Sequence, residues 1–262
     1  MKILYADCFC GFDVSMLLGA LINMGAEPGI LEAEIKKICP EAEIKKADVK
    51  RCAIEALRAD IYINQSAETV ACSDIAAFTD MAAPESICRA QLVRTAQTYA
   101  DAVLSSPLAD KSVSKPRLLS EICTSYAALL AIKQLNTDYV ICSHLREGSG
   151  IDTEEEPAAI IPSPVTLEIL KRLKIPFDCF DIQNELIPPW SAAFLSTIVN
   201  EYGPMPQMDI IKTGYGAGAK DYSMPNLIRT VLGEHRDTDL EHMFESSDMT
   251  AEFADEFAAI IK

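Results

Sequence analysis

The chain has 262 residues, of which 49% are apolar and 24% charged, a balance typical of a globular protein with a full apolar core. Its 39 acidic and 23 basic side chains give a formal net charge of −16. A field of that sign repels phosphate backbones, so the composition argues against a nucleic-acid polymer as partner, while a locally positive pocket for one nucleotide remains compatible with it.

The first 25 residues are apolar, but they are predicted not to act as a signal peptide. Asp7 and Asp13 interrupt the apolar run, and no small-residue cleavage site follows. The longest uncharged apolar stretches, such as "MLLGALINMG", are too short to span a bilayer. We therefore expect a cytoplasmic protein without a membrane partner, whose nine cysteines are reduced thiols.

The N-terminal segment predicts a strand followed by two helices. "KILYADC" (2–8) indicates a buried strand, after which Asp13 or Ser15 caps a helix that ends at Gly25. Pro28 starts a second helix, which is amphipathic at the helical period.

Two strands and a helical region are predicted next. The alternating segments "AEIKKADVKR" and "RADIYINQS" predict strands, joined by the less regular "CAIEAL". From about 73 to 135 the apolar spacing is helical, in one short helix and two long ones, the last of which is apolar enough to lie in the core.

The following segment alternates between strands and helices around one long loop. "DYVICSHL" (138–145) predicts a buried strand, and residues 146–164 form a loop rich in glycine, proline and acids, of a length typical of functional or mobile loops. A helix "SPVTLEILKRL", a strand "PFDCFDI" and a helix "PWSAAFLSTIVNEYG" follow.

The C-terminal part predicts two strands and then an acidic tail. "MDIIKTGYGAG" and "LIRTVLGE" are the strands, and residues 235–262 form a tail with a terminal amphipathic helix. We expect an α/β (α+β) fold with a mixed sheet and packed helices in layers. Residues 1–234 form its domain, either as one unit or as two subdomains with a helical insertion at about 73–135.

The glycine cluster "GYGAG", which contains Gly214, Gly216 and Gly218, is a candidate phosphate loop. A phosphate loop requires a helix directly after the glycines, and here Pro225 and a strand-like run follow. Neither G-K-[ST] nor G-x-G-x-x-G is present. The segment therefore predicts a strand–turn–strand element built around positive-φ positions.

Two cysteine-containing segments are candidate metal ligands. Cys8 and Cys10 in "CFCGF", together with Cys142 and His144 in "CSH", offer soft ligands for a metal such as nickel. Residues i and i+2 of a strand also share one face, so small buried residues are an equally good interpretation. Asp7, at a strand end, is placed for a ligand crevice, whereas the acidic run 152–156 reads as a solvated loop face.

Four segments, in order and at matching spacing, resemble the LarC family of nickel-insertion proteins from residue 1 to about 234. The later ones are "GSG" (148–150) with "IPSPVTLEIL", "ELIPPWSAAFL", and "YGPMPQMDIIKTGYGAGAKDYSMPNLIRTVLGE". The opening segment matches at Tyr5, Asp7, Phe9, Gly11, Met16, Gly19, Ala20, Leu21 and Gly25.

The chain departs from that family at the positions of its usual metal ligands. Family members carry a segment of the type H-F-H-E, whose two histidines fall here on Ser112 and Ser114 and whose glutamate falls on Lys115. Two later aspartates fall on Ser120 and Thr124. Imidazoles and carboxylates that would hold a divalent metal are thus replaced.

The resemblance implies a role in inserting nickel into a pyridinium bis-thiocarboxylate mononucleotide at the expense of CTP. It also implies that CTP is bound by a separate C-terminal domain, which would be a partner of this chain. The residues expected to wall a nucleotide-like ligand are Asp7, Gly11, Gly148, Gly150, Gly214, Gly216, Gly218, Asp221, Asn226 and Arg229.

Two hypotheses follow. In one, the chain is a working nickel-inserting cyclometallase that uses Cys8, Cys10, Cys142 and His144 as metal ligands. In the other, which we favour, it is a degenerate paralogue that keeps the fold and a nucleotide-like pocket, as a binding or regulatory subunit. The sequence identifies no catalytic residue and leaves both enzymatic activity and oligomeric state open.

Overall fold

The computed structural model describes residues 1–107, 111–153, 158–222 and 224–235. The expected acidic tail with its amphipathic helix lies, apart from His235, outside the described residues. The strands are β1 (Lys2–Asp7), β2 (Glu43–Arg51), β3 (Ile54–Tyr62), β4 (Thr69–Ala71), β5 (Ser112–Ser114), β6 (Tyr139–Cys142), β7 (Leu145–Glu147), β8 (Gly150–Asp152), β9 (Ala159–Ile161), β10 (Phe177–Cys179), β11 (Glu201–Tyr202), β12 (Asp209–Ala217) and β13 (Leu227–Glu234). The helices are α1 (Val14–Asn23), α2 (Pro28–Ile35), α3 (Ile75–Ala82), α4 (Arg89–Ser105), α5 (Lys115–Gln134), α6 (Pro164–Leu173) and α7 (Pro189–Ile198), and a 3₁₀ turn spans Cys72–Asp74.

A seven-stranded mixed sheet forms the centre of the fold, in the order β11-β6-β1-β13-β12-β3-β2. Strand β1 runs parallel to β6 and antiparallel to β13, and β12 runs antiparallel to β13 and parallel to β3. Strands β1 and β12 therefore run in the same direction, and their C-terminal ends lie at the same edge of the sheet. At the opposite edge Lys2 pairs with Glu234, and the His235 amide donates to the Met1 carbonyl at 3.0 Å. The predicted mixed α/β architecture is confirmed.

The helices pack on one face of this sheet over a single large apolar cluster. Leu4 and Ala6 of β1 point into it, together with Leu18 of α1 and Tyr126 of α5. Helices α3, α4 and α5, which form the helical region at 73–135, contribute to the same cluster. On the opposite face Ile3, Tyr5, Ile141 and Val231 form a small second cluster. A separate subdomain for that region stays a prediction.

Glycines bring α1 into direct backbone contact with the sheet. A Cβ added to Gly216 would lie less than 3.0 Å from the Met16 carbonyl of α1, and one added to Gly214 would meet the Ala20 carbonyl as closely. From the helix side, a Cβ on Gly19 would collide with the Leu57 carbonyl of β3. The backbones of α1 and the sheet lie so close together that no side chain fits between them, and this close approach requires glycine at these positions.

The glycine cluster does form the predicted strand–turn–strand element, but its predicted positive φ angles are wrong. Gly214 and Gly216 lie inside strand β12. Among the described residues, the glycines with positive φ are Gly11, Gly25 and Gly150. Close approach to α1, rather than backbone strain, explains why glycine occupies these strand positions.

The ends of α1 are as the sequence predicts. The Asp13 carboxylate accepts the Ser15 backbone amide at 2.7 Å as the N-cap, and Gly25, at φ +109, ends the helix.

Two other local predictions need correction. Residues 54–57 of "CAIEAL" belong to strand β3, and only Cys52, at φ 53, and Ala53 form the turn before it, so an irregular link over the whole segment is wrong. "DYVICSHL" is two strands, because β7 leaves the main sheet to pair with β10.

In the described part of the chain, no helix is both long enough and apolar enough to cross a membrane.

We expect Gly216→Ala to lower the free energy of unfolding by about 3 kcal/mol or more, because its methyl group must displace the backbone of α1. Gly29→Ala is the matched control, since it lies in α2 with no atom within 4 Å of the added Cβ. That control should stabilise the protein by about 0.5–1 kcal/mol through helix propensity. Urea denaturation measures both. Equal stability of the two variants would contradict the packing role of Gly216.

Candidate functional site

The main candidate site is a cavity of about 460 Å³ at the edge where β1 and β12 end. Four helices begin at its wall. Asp13 caps α1, Arg117 lies in the first turn of α5, Ser163 caps α6 through the Thr166 amide, and Pro188 precedes α7. Each of these helices has at least 10 residues. Their N-terminal dipole ends make the local field favourable to an anion.

Two loops complete the wall of the cavity. The connection between β12 and β13 contributes Gly218, Lys220 and Asn226. The side-chain amide of Asn226 donates to the Lys220 carbonyl at 2.9 Å and so fixes this connection. From the β8–β9 hairpin comes Asp152, whose carboxylate is buried and lies 3.8 Å from the Lys220 ammonium. This pair joins the two loops across the cavity.

The cavity combines charges of both signs. Arg117 and Lys220 supply cations, while Asp13, Asp152 and Glu185 supply carboxylates. Lys220 is close to Asp152, whereas Arg117 makes no hydrogen bond or salt bridge to the described part of the chain. The guanidinium is thus available to a ligand.

Two carboxyl groups beside Arg117 have raised pKa values. Burial, followed by the charge of Asp13, raises the pKa of Glu121 to about 8, although Arg117 opposes the rise. Burial and the charge of Glu147 raise the pKa of Glu185 to about 7. Both groups therefore exchange protons near neutral pH and can act as proton donors or acceptors beside the cavity.

A third carboxylate, that of Glu147, holds the wall segment in place from behind. Its side chain is fully buried, and its oxygens accept the backbone amides of Gly148 at 2.7 Å, Leu186 at 2.6 Å and Ile187 at 2.8 Å. Burial raises the pKa of Glu147 to about 7, and the three amides oppose that rise. Glu147 thus positions the segment that carries Glu185 to the cavity.

Of the predicted ligand-binding residues, only Gly218 and Asn226 line this cavity. Asp7 and Arg229 are cross-strand partners on β1 and β13 and form an ion pair with each other, with an Nε–Oδ2 distance of 3.1 Å. The carboxylate of Asp221 lies 3.9 Å from the Arg51 guanidinium. A direct role of these three in ligand binding stays a prediction.

Most of the other predicted glycines shape the walls through close packing. A Cβ on Gly11 would collide with Leu186, which lines the cavity, and one on Gly148 would collide with the Asn184 carbonyl. Gly150 opens β8 at φ +103. Gly214 and Gly216 face α1 instead of the cavity.

The four predicted metal ligands do not form one cluster. The Cys8 and Cys142 sulfurs are 3.5 Å apart. The buried Cys10 thiol instead feels the charge of Cys52, and burial raises its pKa to about 11. His144 lines a separate cavity of about 510 Å³. Within the described residues, no group of three or more His, Cys, Asp or Glu side chains is arranged to hold a metal.

Several residues of the cavity were missed or misread in the sequence. Arg117 was not singled out, Glu185 and Lys220 lie in segments that resemble the family but were not named as site residues, and Asp13 was identified only as a helix cap. Asp152 was expected on a solvated loop face, but its side chain is buried against Lys220 and Asn184. A usable signal was present, since "KP", "SP" and "PPW" each mark a helix start.

Comparison with known proteins identifies relatives along nearly the whole chain. The family profile described as "Nickel insertion protein" matches residues 4–259. A Staphylococcus epidermidis protein named "Pyridinium-3,5-bisthiocarboxylic acid mononucleotide nickel insertion protein" is 32% identical over 265 residues, which cover 98% of this chain and 66% of that protein.

Two further relatives agree with this match. A Geobacillus kaustophilus protein of the same name is 30% identical, with coverage of 89% of this chain and 60% of the relative. A "Putative nickel insertion protein" of Dictyoglomus thermophilum is 28% identical, with coverage of 89% and 61%. The chain thus spans between 60% and 66% of the length of these relatives. No solved structure matches it.

The raised pKa values of Glu121, Glu147 and Glu185 predict that stability falls as pH rises. Each folded-state pKa lies above the usual glutamate value of 4.5, so the folded protein binds more protons than the unfolded chain from about pH 4.5 to about 8. We expect the free energy of unfolding to drop by several kcal/mol between pH 5 and pH 8, at about 1.4 kcal/mol for each unit of pKa shift that titrates in this interval.

Urea denaturation at several pH values tests this expectation. Glu121→Gln should flatten the pH dependence, because it removes the group with the highest of the three pKa values. Glu55→Gln, at an exposed position on β3, is the control and should leave the dependence unchanged. If the stability of the wild type instead rises between pH 5 and pH 8, the pKa values of these carboxyl groups are not raised in the folded protein.

Proposed function

Because the chain belongs to the nickel insertion protein family, we propose that it serves the insertion of nickel into a pyridinium bis-thiocarboxylate mononucleotide and that this ligand binds in the 460 Å³ cavity. The observation that carries the proposal is the mixed charge of a cavity at which four helices begin.

The charges of such a ligand match those of the wall. It combines a cationic pyridinium ring with an anionic phosphate and anionic thiocarboxylates. The phosphate is best placed beside Arg117 and Lys220, where helix N-termini reinforce the positive field. The ring cation is best placed beside Asp13 and Glu185. The volume is in the range typical of small-molecule sites.

Lys220 and Asp152 have a connected role in this arrangement. The buried carboxylate of Asp152 lies close to the Lys220 ammonium, which reduces the cost of burying that carboxylate. A phosphate arriving at Lys220 would share the ammonium with Asp152 and draw the two loops toward the ligand. Asn226 holds the Lys220 backbone during this step.

For the metal, we propose that this chain is a paralogue without the usual ligands of its family. The positions of the family's histidines fall on β5, at Ser112 and Ser114, directly before α5 and its Arg117. Lys115, at the position of the glutamate, forms a salt bridge with Glu68. Arg117 thus stands close to where the metal ligands of the family are expected, so the cavity favours the organic anion over a metal cation.

The resulting function is that of a binding or regulatory subunit for the mononucleotide. CTP, in this proposal, is bound by a separate partner domain of the C-terminal type. Nickel is the cargo of the pathway step, and the thiocarboxylates of the ligand are its soft donors. The alternative, a working cyclometallase, requires metal ligands elsewhere in the chain or on the partner.

Nicotinic acid mononucleotide, which has the same ring cation and phosphate, is a suitable probe. We expect Arg117→Ala to weaken its binding at least about tenfold, because a charge-assisted contact to phosphate is lost. Arg94→Ala, on α4 and away from this cavity, is the matched control and should bind like the wild type. Isothermal titration calorimetry measures the affinity of the wild type and of both variants for this probe. Equal affinities for the two variants would exclude this cavity as the phosphate site.

The loss of usual metal ligands predicts that the chain does not insert nickel. It should yield no nickel-containing product when mixed with Ni²⁺, CTP, the thiocarboxylate ligand and the part of the Staphylococcus epidermidis relative that it does not cover. The intact relative is the positive control, and mass spectrometry of the small molecules detects the product. Product formation by the mixture would establish the cyclometallase alternative.

A further inference from the structure

Two thiols lie in contact at the ends of neighbouring strands. Cys142 is the last residue of β6, and Cys8 directly follows β1, which runs parallel to β6. Their sulfur atoms are 3.5 Å apart, and both residues are 0% exposed. Neither residue lines the 460 Å³ cavity, so the nucleotide site leaves this pair without a role.

The separation of the two sulfurs is close to that of a chelating pair. A tetrahedral ion with metal–sulfur bonds of about 2.3 Å holds two thiolates roughly 3.8 Å apart. The pair therefore needs to open by only a few tenths of an ångström to take up such an ion, a change that side-chain rotation can provide.

A buried hydroxyl without a partner lies beside the pair. Tyr202 of β11 is the register partner of Cys142, so the two side chains share one face of the sheet. Within the described residues, the Tyr202 hydroxyl is buried and makes no hydrogen bond. Leaving such a group unpaired is costly, and a bound cation would give its oxygen a partner.

A second cavity lies near the two cysteines, and a bound divalent cation would balance the charge of their thiolates. The second cavity, of about 510 Å³, is lined by Tyr202, Ser143 and His144, and Ser143 directly follows Cys142 in the chain. Both thiols are fully buried and in contact, so a lone thiolate would place a net charge in the protein interior. Two thiolates with one divalent cation form a neutral unit, which avoids the cost of a buried net charge.

We propose that Cys8 and Cys142 form a two-thiolate binding site for a thiophilic divalent cation, with the Tyr202 hydroxyl facing the bound ion. Binding transfers one proton from each thiol to solvent, so that a cation and two thiols give a neutral bis-thiolate and two protons. The site is separate from the proposed mononucleotide cavity and does not depend on ligand binding there. Cys10 takes no part in it.

Cadmium is the probe of choice because it binds thiolates strongly and is stable in solution. After full reduction and removal of metals, wild-type protein with one equivalent of Cd²⁺ should show one bound ion by native mass spectrometry. The mass should correspond to the added cadmium less two protons. Cys8→Ala and Cys142→Ala should reduce occupancy at least tenfold, whereas Cys10→Ala, a buried cysteine two residues from Cys8, should retain it.

The opposite outcomes would overturn the proposal. These are an absence of bound cadmium in the folded wild type, an adduct that retains both thiol protons, or undiminished binding in Cys8→Ala and Cys142→Ala. If a core variant does not fold, the wild-type proton count together with retained binding in Cys10→Ala, which excludes a site at Cys10 and Cys52, still tests the proposal. Arg117→Ala should bind cadmium normally, which separates failure of this site from failure of the mononucleotide site.

Discussion

The direct contact between the backbone of α1 and strands β12 and β3 is the constraint on which the rest of the structure depends. Gly19, Gly214 and Gly216 remove the side chains that normally separate a helix from a sheet. Because α1 then has no freedom to slide or tilt, its first residue has a fixed place relative to the sheet edge. The position of Asp13, and with it one wall of the cavity, is set by this contact.

The cavity balances strong opposing charges in a chain that is strongly acidic overall. Four helix N-termini and two cations offset carboxylates from three different segments. Glu147 belongs to the same balance, since three backbone amides stabilise its charge without any cation. A site of this kind suits a ligand that carries both signs of charge, and it suits a simple anion or a simple metal ion less well.

Local signals in the sequence predicted much of the fold and little of the site. The cap at Asp13, the stop at Gly25 and the strands on either side of the glycine cluster rest on residue-by-residue conformational preferences, which neighbours in sequence determine. The role of Gly214 and Gly216 rests on what lies across from β12. That partner is α1, almost two hundred residues earlier, and no local pattern specifies it.

The site shows the same limit more sharply. Arg117 and Lys220 come from a helix and a strand connection that share no motif, and only the three-dimensional arrangement brings them to one cavity. Asp152 looked solvated because its neighbours in sequence are acidic, yet it is buried against a lysine from another loop. The sequence predicted Cys8, Cys10 and Cys142 as metal ligands and its spacing paired Cys8 with Cys10, whereas the sulfur contact of Cys8 is with Cys142.

The hydrogen bond between His235 and Met1 has a consequence for how this fold can be joined to other polypeptides. Both residues lie at the sheet edge opposite the cavity, one strand length away, or about 20 Å for the six residues of β1. A polypeptide fused after residue 235 must therefore extend along the length of the sheet to reach the cavity. The same proximity makes the fold suitable for circular permutation, in which a short linker joins residues 235 and 1 and new termini open at a surface turn.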